Sequence, residues 1–168
     1  GVYVTGGTFS NCVIRSNSTG GGSAGAGGIY ASGGQLVSCQ ITDNSTGGSS
    51  PGGGVYLNGA TLRNCLIARN STTQTGGGVH LNSGTVESST IVSNNASSAN
   101  GGGGIYRTSG TAGTVLNSIV YSNTSGSVTY KNSYSTTTTG WTYNDTTLPD
   151  VAGTGCINGD PLFSNAGA

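Results

Sequence analysis

Five segments of this chain can be laid under one another, starting at Gly1, Gly28, Gly54, Gly78 and Gly104, at spacings of 27, 26, 24 and 26 residues. They read GVYVTGGTFSNCVIRSN, GIYASGGQLVSCQITDN, GVYLNGATLRNCLIARN, GVHLNSGTVESSTIVSN and, after a short insertion near Thr111–Gly113, GIYRTSGTAGTVLNSIVYSN. The second column is always β-branched: Val2, Ile29, Val55, Val79, Ile105. The ninth holds Phe9, Leu36, Leu62, Val86 and Val115, and the fourteenth Ile14, Ile41, Ile67, Ile91 and Val120. The twelfth holds Cys12, Cys39, Cys65, Ser89 and Ser118, and every segment ends on Asn: Asn17, Asn44, Asn70, Asn94, Asn123. A fixed period of this length marks a chain built by stacking one unit.

Each unit contains short β-branched runs broken by Gly or Asn, which predicts three short strands, and no stretch carries a 3.6-residue period. One unit has too few apolar side chains, at roughly 1.5–3 kcal/mol each, to offset about 1–2 kcal/mol of backbone entropy per residue. Stacked about 4.8 Å apart, the units pair every strand above and below and share one core. The expected fold is therefore all-β: a right-handed parallel β-helix, or β-solenoid, of about 26 residues per rung, with five regular rungs and irregular C-terminal ones. Asn at a corner can pass amide hydrogen bonds between rungs, and Gly is expected to supply the corners with positive φ. A leucine-rich repeat has a similar period, but segments such as GGGSAGAG and TGGSSPGG are poor helix formers.

Composition narrows the function. There are five Lys/Arg and five Asp/Glu, too few cations to follow a run of phosphates, so no nucleic-acid partner is expected. No apolar run approaches the ~18 residues of a membrane-spanning helix, so no membrane insertion is expected in this segment. The 33 Gly follow no Gly-X-Y period, which excludes collagen. Residues 1–127 are read as the five rungs, and 128–168 as irregular rungs and a partial end cover of the same domain, with Trp141, Leu162 and Phe163 closing the core. The chain opens directly into a repeat, so it is taken as mature or excised material. Its first rung is expected to be covered by another copy of itself or by the rest of a longer chain.

The frame GGG-[IV]-Y…L-x-N-C-x-I-x-x-N, followed by a Tyr/Thr-rich stretch and NGDPLF, resembles secreted bacterial right-handed parallel β-helix repeat proteins across about three quarters of the chain. These have the pectin-lyase-like fold, with repeats like those of polymorphic outer-membrane proteins and autotransporter passengers. The resemblance implies an extracellular or cell-surface location. It leaves activity open, because the fold also hosts polysaccharide lyases and hydrolases.

A glycosidase needs two carboxylates about 5–9.5 Å apart. Asp43 shares a column with Arg69, and Glu87 shares one with Arg63, so cross-rung ion pairs Asp43–Arg69 and Arg63–Glu87 are expected. Asp145, Asp150 and Asp160 match no dense calcium loop, and Asp160 with Pro161 reads as a turn. The Asp-rich motifs and acid clusters of the fold's enzymes are absent, and no metal or cofactor is expected. His80 replaces a ring in the column Tyr3, Tyr30, Tyr56, Tyr106, read as an outward, exposed aromatic stripe serving for stacking or as a platform for sugars. Arg107, in the fourth column, strains that inward and outward assignment. Cys12, Cys39 and Cys65 are read as inward free thiols behaving as small hydrophobes, and Cys156 has no evident partner. Several Asn stand in N-x-S/T triplets, with exposed Asn95 and Asn144 as the candidates for glycosylation. A partial row, Thr8, Thr61, Thr85 and Thr114, is interrupted by Gln35 and does not make an ice-binding face.

The expectation is a non-enzymatic extracellular structural or adhesive β-helix: a stalk, an adhesin segment or a self-stacking filament subunit. The alternative is a carbohydrate-binding, less readily a carbohydrate-cleaving, module for surface glycans.

Overall fold

A computed structural model describes residues 1–20, 25–108, 113–126, 128–129, 132–135, 140–142, 144–146, 154–157, 159 and 161. The first rung comprises β1 (Val2–Val4), β2 (Thr8–Ser10), β3 (Val13–Arg15) and β4 (Ser18–Thr19). In the second, β5 (Ile29–Ala31), β6 (Gln35–Val37), β7 (Gln40–Thr42) and β8 (Ser45–Thr46) stack on these in parallel. The third holds β9 (Val55–Arg63), β10 (Leu66–Ala68) and β11 (Ser71–Thr72); the fourth, β12 (Val79–Glu87), β13 (Thr90–Val92) and β14 (Asn95–Ala96). The fifth holds β15 (Ile105–Arg107), β16 (Thr114–Leu116), β17 (Ile119–Tyr121) and β18 (Thr124–Ser125). Beyond it, β20 (Ser133–Tyr134), β21 (Trp141–Thr142) and β22 (Asp145–Thr146) continue the stack, while β19 (Val128–Thr129) turns back antiparallel on β18. The result is a parallel β-solenoid of three sheets. Among the described residues there is no helix, and none that could cross a membrane.

The expected three strands per rung become four segments in the first two rungs. Gly6–Gly7 and Gly33–Gly34 break the first face there, with Gly7 and Gly34 at φ 71° and 78°. In the third and fourth rungs only Gly59 and Gly84 remain at that place, at φ 106° and 104°, and the strand runs through with a shift in register.

The second, fourth, ninth and fourteenth columns fill the interior, and Ile29, Leu36, Ile41, Val55, Leu57, Leu62 and Ile67 are wholly buried. Trp141 pairs with Val115 and continues the ninth column, also buried. Leu162 and Phe163, expected to help close the core, lie outside the described residues. Arg107 keeps its inward place in the fourth column, buried, with Nε donating to the Gly113 carbonyl at 2.7 Å. Burial lowers its pKa.

The expectation that Gly makes the positive-φ corners needs correcting. Gly52, Gly76 and Gly102 do so just ahead of the third, fourth and fifth rungs, as Gly7, Gly34, Gly59 and Gly84 do on the first face. The two sharp corners on either side of the fourteenth column are made by other residues: Asn11, Ser38, Asn64, Ser88 and Asn117 at one, and Ser16, Asp43, Arg69, Ser93 and Ser122 at the other, with φ from 48° to 59°. A left-handed residue with a Cβ is disfavoured by roughly 1–2 kcal/mol, yet stacking repeats it in every rung.

Candidate functional site

The residue after each left-handed corner has turned out of the sheet's hydrogen-bond pattern, so its N–H needs another acceptor. After the second corner that acceptor is the Asn side chain of the next rung. Asn17 N–H donates to Asn44 Oδ1 at 3.1 Å, Asn44 to Asn70 at 3.0 Å, Asn70 to Asn94 and Asn94 to Asn123 at 2.9 Å. Each Nδ2 also donates to the next Oδ1 at 2.9–3.0 Å, and the ladder ends on Asn132.

After the first corner the twelfth column does the same. Cys39 N–H donates to Cys65 Sγ at 3.4 Å, Cys65 N–H to Ser89 Oγ at 3.1 Å, Ser89 N–H to Ser118 Oγ at 3.2 Å and Ser118 N–H to Asn144 Oδ1 at 2.9 Å. Each Cys and Ser side chain in turn donates to the carbonyl two residues back, as Cys12 does to Ser10 at 3.1 Å and Ser89 to Glu87 at 2.8 Å. The cysteines are thus hydrogen-bonding members of a second ladder, not merely small hydrophobes. All four are free thiols, and burial pushes Cys65 up to about 11.

Asn144, read from sequence as exposed, is fully buried as the last rung of this ladder, with Nδ2 donating to the Val115 carbonyl at 2.8 Å. Asn95 is exposed. Three of the N-x-S/T triplets have a different origin: the Thr after Asn-Ser points inward. Thr46 and Thr72 hydroxyls lie 2.8 Å apart and within 3.1 Å of the Ser50 carbonyl. Sequence reasoning missed this row, although Asn-Ser-Thr recurs at Asn17, Asn44 and Asn70.

On the first face six rings stack. Centroids are 5.0 Å apart for Tyr3–Tyr30 and Tyr30–Tyr56, 4.8 Å for Tyr56–His80 and 5.0 Å for His80–Tyr106. Tyr134, which the fading period concealed, is the sixth at 5.4 Å. The expected exposed stripe is corrected: only Tyr3 is largely exposed, at 68%, while the other tyrosines are half-buried and His80 is buried. Stacking covers the ring faces and leaves mainly edges to solvent.

The ion pairs lie outside this stack. Arg69 holds Asp43 bidentately at 2.8 and 2.9 Å, which keeps that carboxyl below its ordinary pKa, and Arg63 Nε is 3.5 Å from Glu87. Both pairs are partly exposed and worth little as stability.

A family model described as the right-handed β-helix region matches residues 1–159. The chain belongs to the right-handed β-helix family. No curated protein matches it, and no solved structure does.

In this β-helix Asp145 borders a hollow of about 260 Å³ lined with Asn117, Ile119 and Ile157, and its Oδ1 accepts from Gly159 N–H at 3.3 Å. Asp150 and Asp160 lie outside the described residues. No group of three His, Cys, Asp or Glu residues suited to a metal occurs among the described residues.

His80 brings a pH dependence. It is held between Tyr56 and Tyr106, with Thr75 Oγ1 2.9 Å from Nδ1 and Thr108 Oγ1 3.3 Å from Nε2. Burial lowers its pKa from 6.5 to about 4. Between those values the unfolded chain carries the proton and the folded one does not, so stability falls as pH drops through that window. The loss is roughly 2 kcal/mol at pH 5, or several degrees of melting temperature. Melting curves at pH 7 and 5 should show it, and His80→Tyr should flatten the difference. An equal slope in the variant would remove His80 as the cause.

Proposed function

We propose that this β-helix is a non-enzymatic extracellular or cell-surface scaffold: a stalk, an adhesin segment or a unit that stacks on further rungs. The observation that carries this reading is where the polar chemistry goes. The Asn and Cys/Ser columns spend their side chains joining rung to rung, and the tyrosines spend their faces on one another. Asp43 and Glu87 are each engaged by an Arg from the neighbouring rung rather than paired with a second acid. Repeating contacts of this kind lengthen a rigid body without building a pocket. Carbohydrate binding through ring faces is disfavoured for the same reason, since sugars pack on faces and these are covered.

The test is incubation of the purified chain with a panel of acidic and neutral polysaccharides, read for new reducing ends and for unsaturated products. Both should stay at the level of the blank. Turnover lost on Asp145→Asn would overturn the scaffold reading, and glycan binding lost on Tyr30→Ala would replace it with the carbohydrate one.

A further inference from the structure

Tyr3, Tyr30 and Tyr56 stack in register on successive rungs, with planes within 8° of parallel. Beyond His80, Tyr106 and Tyr134 repeat the arrangement, with 4° between their planes. Parallel rings on rungs related by translation keep each atom about one centroid separation from its counterpart. The carbons ortho to neighbouring hydroxyls are therefore held about 5 Å apart. The fold confines pairs of phenols as near neighbours, at an effective concentration that free collision does not reach, and it does so at the surface, where an oxidant can arrive.

We propose that the pairs Tyr3–Tyr30, Tyr30–Tyr56 and Tyr106–Tyr134 are sites of intrachain dityrosine formation. Each phenol of a pair loses one electron and its hydroxyl proton to become a phenoxyl radical, with spin density on the ortho carbons. The half-exposed rings turn towards one another, a carbon–carbon bond forms between two ortho positions, and the displaced ortho hydrogens restore both hydroxyls. The net loss is two protons and two electrons. Hydrogen peroxide acting through a peroxidase-type oxidant takes them and leaves as two waters. An imidazole cannot form this bond, so His80 divides the stack into a block of three tyrosines and a block of two, with no link from Tyr56 to Tyr106. Each bond ties consecutive rungs covalently, as between Tyr30 and Tyr56, which lie 26 residues apart.

The experiment treats dilute native chain, and the same chain in concentrated urea, with a ruthenium photo-oxidant and persulfate as the electron acceptor. Readouts are dityrosine fluorescence, the intact-mass loss of two hydrogens, and mapping of linked peptides. Cys12 is the more accessible thiol of its column, so Cys12→Ser is run in parallel to remove a competing reductant. The native monomer should yield at least tenfold more intrachain dityrosine than the unfolded chain, in the three named pairs. Tyr30→Phe, whose ring still stacks, should lose the first two links and keep Tyr106–Tyr134. Should that variant fail to fold, Tyr106→Phe should lose only the third. Equal yields in native and unfolded chain, links that form between chains in proportion to concentration, or a Tyr56–Tyr106 link would each overturn the proposal.

Discussion

Asn70→Leu is expected to lower the free energy of unfolding by about 4 kcal/mol, at about 1–3 kcal/mol for each buried polar group left without a partner. Asn70 is 1% exposed, so water does not replace what is lost. Its Oδ1 accepts from both Asn44 N–H and Asn44 Nδ2, at 3.0 and 2.9 Å. Its Nδ2 donates to the Ile41 carbonyl at 2.8 Å and to Asn94 Oδ1 at 3.0 Å. Leucine strands two donors and one acceptor, while Asn94 Oδ1 still receives Asn70 N–H at 2.9 Å. Asn70→Asp should do no better, because it would set a carboxylate against the Ile41 carbonyl and Asn94 Oδ1. Asn17→Leu provides the contrast. Asn17 is only part-buried, its losses are open to solvent, and about 1 kcal/mol or less is expected. Urea titrations of the three variants decide the matter. Equal losses at Asn17 and Asn70 would show that the ladder's continuity contributes nothing beyond ordinary surface contacts.

The solenoid itself is legible in sequence because translation by one rung maps each column onto itself. Residues sharing a column must touch, so an all-β parallel coil of about 26 residues follows from Ile14, Ile41, Ile67 and Ile91 standing in line. The same rule makes the membership of the Asn, Cys and Tyr columns readable, since alignment alone picks out who stacks on whom.

What each column does is less readable, because that depends on backbone angles that alignment does not carry. Ser38 and Arg69 share no chemistry, yet both are left-handed corners, at φ 54° and 56°. Stacking, not local preference, holds them there. Without knowing the corners, Cys39 and Cys65 read as apolar filling. With them, each follows a turn that withdraws its N–H from the sheet, and the thiol becomes an acceptor for the rung below, as Cys65 Sγ is for Cys39 N–H. Asn144 keeps the period, 26 residues after Ser118, but stands where its column has Cys or Ser. Tyr134 and Asn132 were hidden for another reason. The chain between Asn123 and Asn144 spaces its ladder residues irregularly, so that Asn132 follows Asn123 by only nine residues. A constant period cannot find them, although the stack uses them as it uses the regular rungs.

Gly77→Ala should be at least as damaging as a filled core, about 3 kcal/mol or more, although Ala is the better residue for ordinary backbone. A Cβ on Gly77 would stand 2.3 Å from the Gly103 carbonyl oxygen and 2.5 Å from both the carbonyl carbon and oxygen of Asn95. All three are backbone atoms, so no side chain can swing aside. The rungs are tied here by Gly77 N–H to the Gly102 carbonyl at 3.3 Å and by Gly54 N–H to the Gly77 carbonyl at 3.1 Å. Relieving the overlap therefore means opening the stack. Gly77 does not have the positive φ of Gly76 before it, at 70°. Its requirement is close approach: Gly27 and Gly53 meet the next rung's glycine carbonyl at 2.3 Å, and Gly103 meets the Thr124 carbonyl at 2.1 Å. The Gly-Gly-Gly run is thus two demands side by side: one residue turned left-handed, then two that touch the neighbouring rung. Gly6→Ala is the control, since a Cβ there meets nothing within 4 Å, and its melting temperature should stay within a degree or so of the parent. A Gly77→Ala chain that melts with the parent would mean that neighbouring rungs separate freely at this corner, and the close-approach account of the glycine columns would fall.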